Sequence, residues 1–205
     1  MPQVASKPEK FSDELERWLG EDRPTLGSLI NLLGPRSFGA LFVVLMAVPA
    51  LPLPTGGVTH VLELVTMLVA LELIIGRREV WLPQRWRRIQ VGGSQAASRR
   101  FAEGLLRRVR TLERLSRTRG RALLLPWPSR ALFGIAVLAL ALTAFLAPPF
   151  SGLDTIPALG VVVMSLGVLL GDLVMAIVGL VIGAAGLLIV VTLGQAAVHA
   201  VRGLF

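Results

Sequence analysis

FGALFVVLMAVPALPLPTGGVTHVLELVTMLVALELIIG, residues 38–76, and FGIAVLALALTAFLAPPFSGLDTIPALGVVVMSLGVLLG, residues 133–171, are one pattern written twice. They align without a gap at a constant offset of 95 residues, 38 onto 133 and 76 onto 171. Phe38-Gly39 falls on Phe133-Gly134, Pro54 on Pro149, Gly57 on Gly152 and Gly76 on Gly171. Each copy is an apolar run, a Pro/Gly break, a second apolar run and a closing glycine. Proline inside a helix removes a donor and clashes with the preceding turn, so each copy reads as a broken helical hairpin. Matching breaks in two halves of a hydrophobic chain are also a sequence pointer to a transport-type site.

Composition agrees with a membrane protein. Hydrophobic residues make up 54% of the chain and charged residues 17%, with mean hydropathy +0.70; soluble domains carry more charge. Residues 131–150 and 156–193 contain one ionisable side chain, Asp172, and residues 37–76 contain His60, Glu63 and Glu72. A bilayer core of about 30 Å needs about 20 apolar helical residues. The predicted fold is an all-α polytopic membrane protein. It comprises two duplicated Pro/Gly-broken hairpins, one extra C-terminal transmembrane helix and an Arg-rich amphipathic cytoplasmic helix.

The chain divides accordingly. Residues 1–36 form a cytoplasmic or interfacial arm, 37–76 the first hairpin, 77–130 a basic loop, 131–171 the second hairpin, 172–194 a third apolar span and 195–205 a tail. In the arm, Ser12 and Thr25 are placed to cap short helices, and Gly34-Pro35 ends the second. The helix after the first break, Val58 to Ile75, spans about 27 Å and just crosses a bilayer. The segment before it, from Ser37 to Pro49, reaches only about 18 Å. A crossing hairpin and a re-entrant one both remain open.

Charge sets the expected orientation. Residues 77–130 carry fifteen Arg and three Glu, a positive-inside signature that puts this loop in the cytoplasm. The N-terminus then lies on the same side, and the hairpins are parallel repeats. Nucleic acid is not an expected partner. Arg77, Arg78, Trp81, Arg87, Arg107 and Arg114 are candidates for contact with anionic lipid headgroups. From Ala97 to Arg119, Phe101, Leu105, Val109, Leu112 and Leu115 recur at helical steps among arginines; such a helix lies on lipid or packs on the transmembrane core.

Ionisable groups at lipid depth cost about 2.5–3.5 kcal/mol by insertion scales, so each needs a reason. His60 and Glu63 share a helix face directly after the first break and are placed to bond or exchange a proton. Glu72 lies about 180° round the same helix and is placed either in a site or near Arg77 and Arg78. Asp154 either caps the helix after the second break or binds a ligand; Asp172 either sits in a turn or has a functional role. Helix starts after Gly57 and Gly152 would offer free backbone donors to an anionic group if they face each other. Pro54, Gly57, His60, Glu63, Glu72, Pro149, Gly152 and Asp154 are therefore the candidate ligand or permeation residues.

No catalytic constellation is present, and the chain contains no cysteine and two histidines, His60 and His199. No enzyme activity, cofactor or metal is expected. Gly179-x-x-x-Gly183 is a small-residue surface suited to helix association, which makes a homodimer an expected partner state.

LGPRSFG at 33–39, VPALPLPTGG at 48–57 and GRREVWLP at 76–83 resemble the ExoD family of bacterial exopolysaccharide-synthesis membrane proteins. PFSG at 149–152 and the Gly171-Asp172 turn also fit, so the resemblance covers roughly residues 25–193. It departs at Glu72, where an amide is common in the family. The resemblance implies an inner-membrane protein linked to exopolysaccharide production and carries over no catalytic residue. Two functions are weighed: a small transporter or permeation facilitator with its site at the breaks, and a non-transporting subunit recruiting polysaccharide-synthesis proteins through the basic loop.

Overall fold

A computed structural model describes residues 13, 16–18, 25–52, 57–77, 79–81, 83–88, 111, 126–148 and 151–202. Its regular elements are helices: α1 (Leu26–Leu33), a 3-10 turn (Gly34–Arg36), α2 (Ser37–Met46), α3 (Gly57–Ile74), α4 (Gln84–Arg87), α5 (Trp127–Leu146), α6 (Thr155–Leu170) and α7 (Leu173–Arg202). Four helical segments are long and apolar enough to cross a membrane: Gly27–Met46, Gly57–Ile74, Trp127–Leu146 and Leu173–Ala196. The chain folds as two compact units, one of residues 1–34 and 81–117, the other of 35–80 and 118–205.

In the first unit, Thr25 and Ser28 form a reciprocal capping box. The Ser28 amide donates to Thr25 Oγ1 and the Thr25 amide to Ser28 Oγ, both at 3.1 Å, satisfying donors that the first turn leaves free. Trp18 is buried and its indole N–H donates to Ser28 Oγ at 2.7 Å. The helix stops at Gly34, whose φ of +49° suits glycine. Arg87 on α4 donates to Asn31 Oδ1 at 3.0 Å.

The second unit holds the two apolar copies. The helix before the first break ends at Met46, ahead of Pro49 and Pro52. Phe38, Phe42 and Met46 recur at four-residue steps on α2 and are buried. Phe42 meets Phe133 of α5 edge-on, with centroids 5.7 Å apart, a favourable aromatic geometry. The main packing pairs are α3 with α5 and α2 with α6, with α7 laid chiefly along α6. Gly39 and Gly134 let backbones close in. A Cβ at Gly39 would lie 3.1 Å from the Ser165 carbonyl oxygen, and one at Gly134 would lie 3.3 Å from that of Ala70.

Three boundaries differ from the sequence reading. α5 begins at Trp127, inside the stretch assigned to the basic loop, because Pro126 and Pro128 start it without needing donors. α7 runs to Arg202, past residue 194. α3 runs from Gly57 to Ile74, one residue earlier at each end than the expected Val58 to Ile75. The expected amphipathic helix over 97–119 lies outside the described residues apart from Thr111.

Gly179 and Gly186 of α7 face α6 within the chain, and the Gly183 backbone lies against Gly160 of α6. A Cβ at Gly160 would collide with the Gly183 backbone, one at Gly179 with Met164, and one at Gly186 would lie 2.7 Å from the Pro157 nitrogen. The small-residue surface expected to serve a second copy is thus occupied by α6. The opposite side of α7 leaves Val174, Ile177, Val178, Val181 and Leu188 exposed, as a lipid-facing surface requires.

Candidate functional site

Thr59, Glu63 and Thr66 sit at steps of four and three on α3, so they form one stripe. All three are buried in a helix whose other side, through Val58, Val61, Leu64, Leu68 and Leu71, is exposed and apolar. The Thr66 hydroxyl donates to the Leu62 carbonyl at 2.8 Å, and Thr143 on α5 likewise donates to Ala139 at 2.8 Å. These hydroxyls are satisfied by their own helices.

Glu63 is different. Its side chain is 0% exposed, and both carboxyl oxygens lack a hydrogen-bond partner. His60 Nδ1 lies 3.6 Å from Oε2, beyond hydrogen-bond range but close enough to pair when charged. The His60 side chain is 29% exposed, with its ring 5.4 Å from that of Phe145 on α5. The Thr59 hydroxyl lies 3.5 Å from His60 Nδ1. A titratable pair thus runs from a partly open imidazole to a closed carboxyl along one helix turn.

Asp154 stands at the start of α6 but makes no side-chain capping bond, which corrects the expectation of a cap. Its carboxyl lies within electrostatic reach of Glu63. Asp172 is the capping aspartate instead: Oδ1 accepts from the amides of Val174 and Met175 at 3.0 and 3.2 Å. Gly171 before it takes φ of +72°, and its counterpart Gly76 takes +97°. Both close a helix in the left-handed region.

The remaining predicted residues separate. Pro54 and Pro149 lie outside the described residues, as do Arg78, Arg107 and Arg114. Gly57 and Gly152 are exposed, and a Cβ at either would meet nothing within 4 Å, so no backbone crowds them. Glu72 is partly exposed, in contrast to buried Glu63, as expected from their opposite headings. Arg77 and Trp81 are exposed; the Arg77 carbonyl accepts from Arg130 Nη2 at 2.8 Å. The structure therefore brings together Glu63 and His60, with Thr59 and Phe145 beside the imidazole, and leaves Asp154 within electrostatic reach only. The threonines were detectable as a polar stripe in an apolar helix; Phe145 was not, because it arrives from another segment. Among the described residues no group of three or more His, Cys, Asp or Glu side chains is arranged to hold a metal ion.

Residues 11–192 match the family model described as "Exopolysaccharide synthesis, ExoD". The chain is similar to an uncharacterized protein of Synechocystis sp., 28% identical over 162 residues, 77% of this chain and 74% of the relative. No solved structure matches.

Proposed function

The chain belongs to the ExoD exopolysaccharide-synthesis family, and from that premise we propose that it acts as a small transporter or permeation facilitator. Membership implies involvement in exopolysaccharide synthesis, and four apolar helices of spanning length fit a membrane protein. In our reading the protein lies in the bacterial inner membrane, with its N-terminus and basic loop in the cytoplasm. It is not an enzyme, and anionic lipid headgroups hold the arginines of the loop.

The observation that carries the proposal is Glu63. A fully buried carboxyl with unpartnered oxygens in an apolar helix is costly and adds nothing to packing that an alanine or leucine would not supply. Ala158, its counterpart at the 95-residue offset, is equally buried and apolar. Such a group is best understood as a working one. The site then centres on the first turns of α3 and the start of α6, rather than on the glycines of the breaks.

We also read the two hairpins as a duplication. Its support is the reciprocity of packing: exchanging the copies turns the α2–α6 pair into the α3–α5 pair. Gly39 facing Ser165 becomes Gly134 facing Ala70, residues related by the same offset.

The test is complementation of a strain lacking the gene. Glu63→Gln should abolish the exopolysaccharide phenotype while membrane protein level is retained, and Glu72→Gln should leave it intact. Wild-type output from Glu63→Gln would remove the reading. The alternative, an assembly subunit, draws support from the separate compact unit in which residues 81–117 associate with the arm. It demands sensitivity to neutralising the arginines between Arg99 and Arg121 instead.

A further inference from the structure

We propose that Glu63 is a proton-binding site and that His60 is the group through which its proton enters and leaves. This rests on the transporter reading for its purpose but on geometry for its existence. Glu63 has both oxygens buried without a hydrogen-bond partner. A carboxyl so placed must find a counter-charge, a proton or a further ligand, because an isolated buried charge is among the costliest arrangements in a protein.

The elements packed on α3 supply no counter-charge. α2 carries no ionisable residue. α5 carries Arg130 alone, in its first turn, where Nη2 donates to the Arg77 carbonyl. What reaches Glu63 is the like charge of Asp154, at electrostatic range, and His60 on the preceding turn, whose Nδ1 lies 3.6 Å from Oε2. A metal cation needs several ligands at once, and no group of three or more His, Cys, Asp or Glu side chains is arranged for one among the described residues. A proton needs one oxygen.

His60 has the properties of the relay. Imidazole is the side chain whose ordinary titration lies nearest neutrality. Its ring is partly exposed while the carboxyl is closed, and 3.6 Å separates them. A small rotation of either side chain brings them into hydrogen-bond contact. Transfer then breaks an N–H bond on the imidazolium and forms an O–H bond on the carboxylate, leaving both groups neutral. Phe145 beside the ring and the Thr59 hydroxyl, 3.5 Å from Nδ1, bound the space in which it turns.

The site and its use are separable by experiment. The full chain is placed in liposomes, and infrared difference spectra are taken across a pH titration. Among the carbonyl stretches that the chain's thirteen acidic side chains give on acidification, one component should persist in Glu72→Gln and vanish in Glu63→Gln. His60→Gln should keep that component but shift its midpoint or slow its appearance. A titration spectrum that Glu63→Gln leaves unchanged overturns the proposal; an unchanged midpoint and rate of that component in His60→Gln overturns the relay. Proton uptake driven by a potassium diffusion potential, followed with an internal pH dye, reads out transport in the same vesicles. That component without uptake would uphold the proton site and defeat the transporter reading.

Discussion

Asp172 and Asp154 occupy similar places, each ahead of an apolar helix, yet they do different work. Asp172 accepts from two amides of α7, whereas Asp154 makes no cap bond at the start of α6. Loss of a capping side chain costs about 1 kcal/mol. Asp172→Ala should therefore lower the thermal midpoint of the detergent-solubilised protein, while Asp154→Ala should leave it nearly unchanged. Equal losses in a melting experiment would contradict the assignment. Sequence alone left both residues open between turn, cap and ligand, since an aspartate after a break satisfies all three descriptions. The caps that could be read, Thr25 before α1 and Gly34 after it, announce themselves within four residues of the helix end. Glu63 was readable as an anomaly, a charge in an apolar run. Its complete burial was not, because that depends on packing partners remote in sequence.

Among the elements, α6 and α7 form the tightest seam. Glycines on both helices remove the side chains that would hold them apart, so van der Waals contact runs backbone to backbone, the main source of helix association in lipid. Replacing Gly179 by leucine should force the helices apart and markedly reduce the yield of folded protein, since a Cβ there would collide with the Met164 backbone. Gly194→Leu should be neutral, since a Cβ there meets nothing within 4 Å. Size-exclusion profiles of the two variants make the comparison, and a wild-type profile for Gly179→Leu would refute the seam. The glycine spacing was plain in the sequence, but a small-residue stripe does not say whether its partner is a neighbour in the chain or a second molecule. The breaks were plainer, because proline acts on its own backbone whatever surrounds it. Helix lengths were less so: α5 starts within the basic loop because two prolines begin it, a local effect masked by the charge around it.

At the scale of the membrane unit, the packing makes a geometric prediction. A Cβ at Gly39 would lie 3.8 Å from that of Leu169, close to the separation found in disulfides. In this cysteine-free chain, Gly39→Cys with Leu169→Cys should cross-link on oxidation. By the 95-residue offset, Gly134→Cys with Ile74→Cys should do the same. Cross-linking of the first pair alone would count against the duplication, and of neither against the helix arrangement. The polar stripe of α3 has no full match in the other copy, where Ala158 and Val161 replace Glu63 and Thr66.

The central claim is that a buried acid is reached from water through His60. Single cysteines, scored with a small charged thiol reagent on intact membranes, test it most directly. His60→Cys should label, while Leu64→Cys and Leu68→Cys, on the exposed apolar side of α3, should stay unlabelled because lipid covers them. Silence at position 60, or labelling at 64 and 68, would contradict the account.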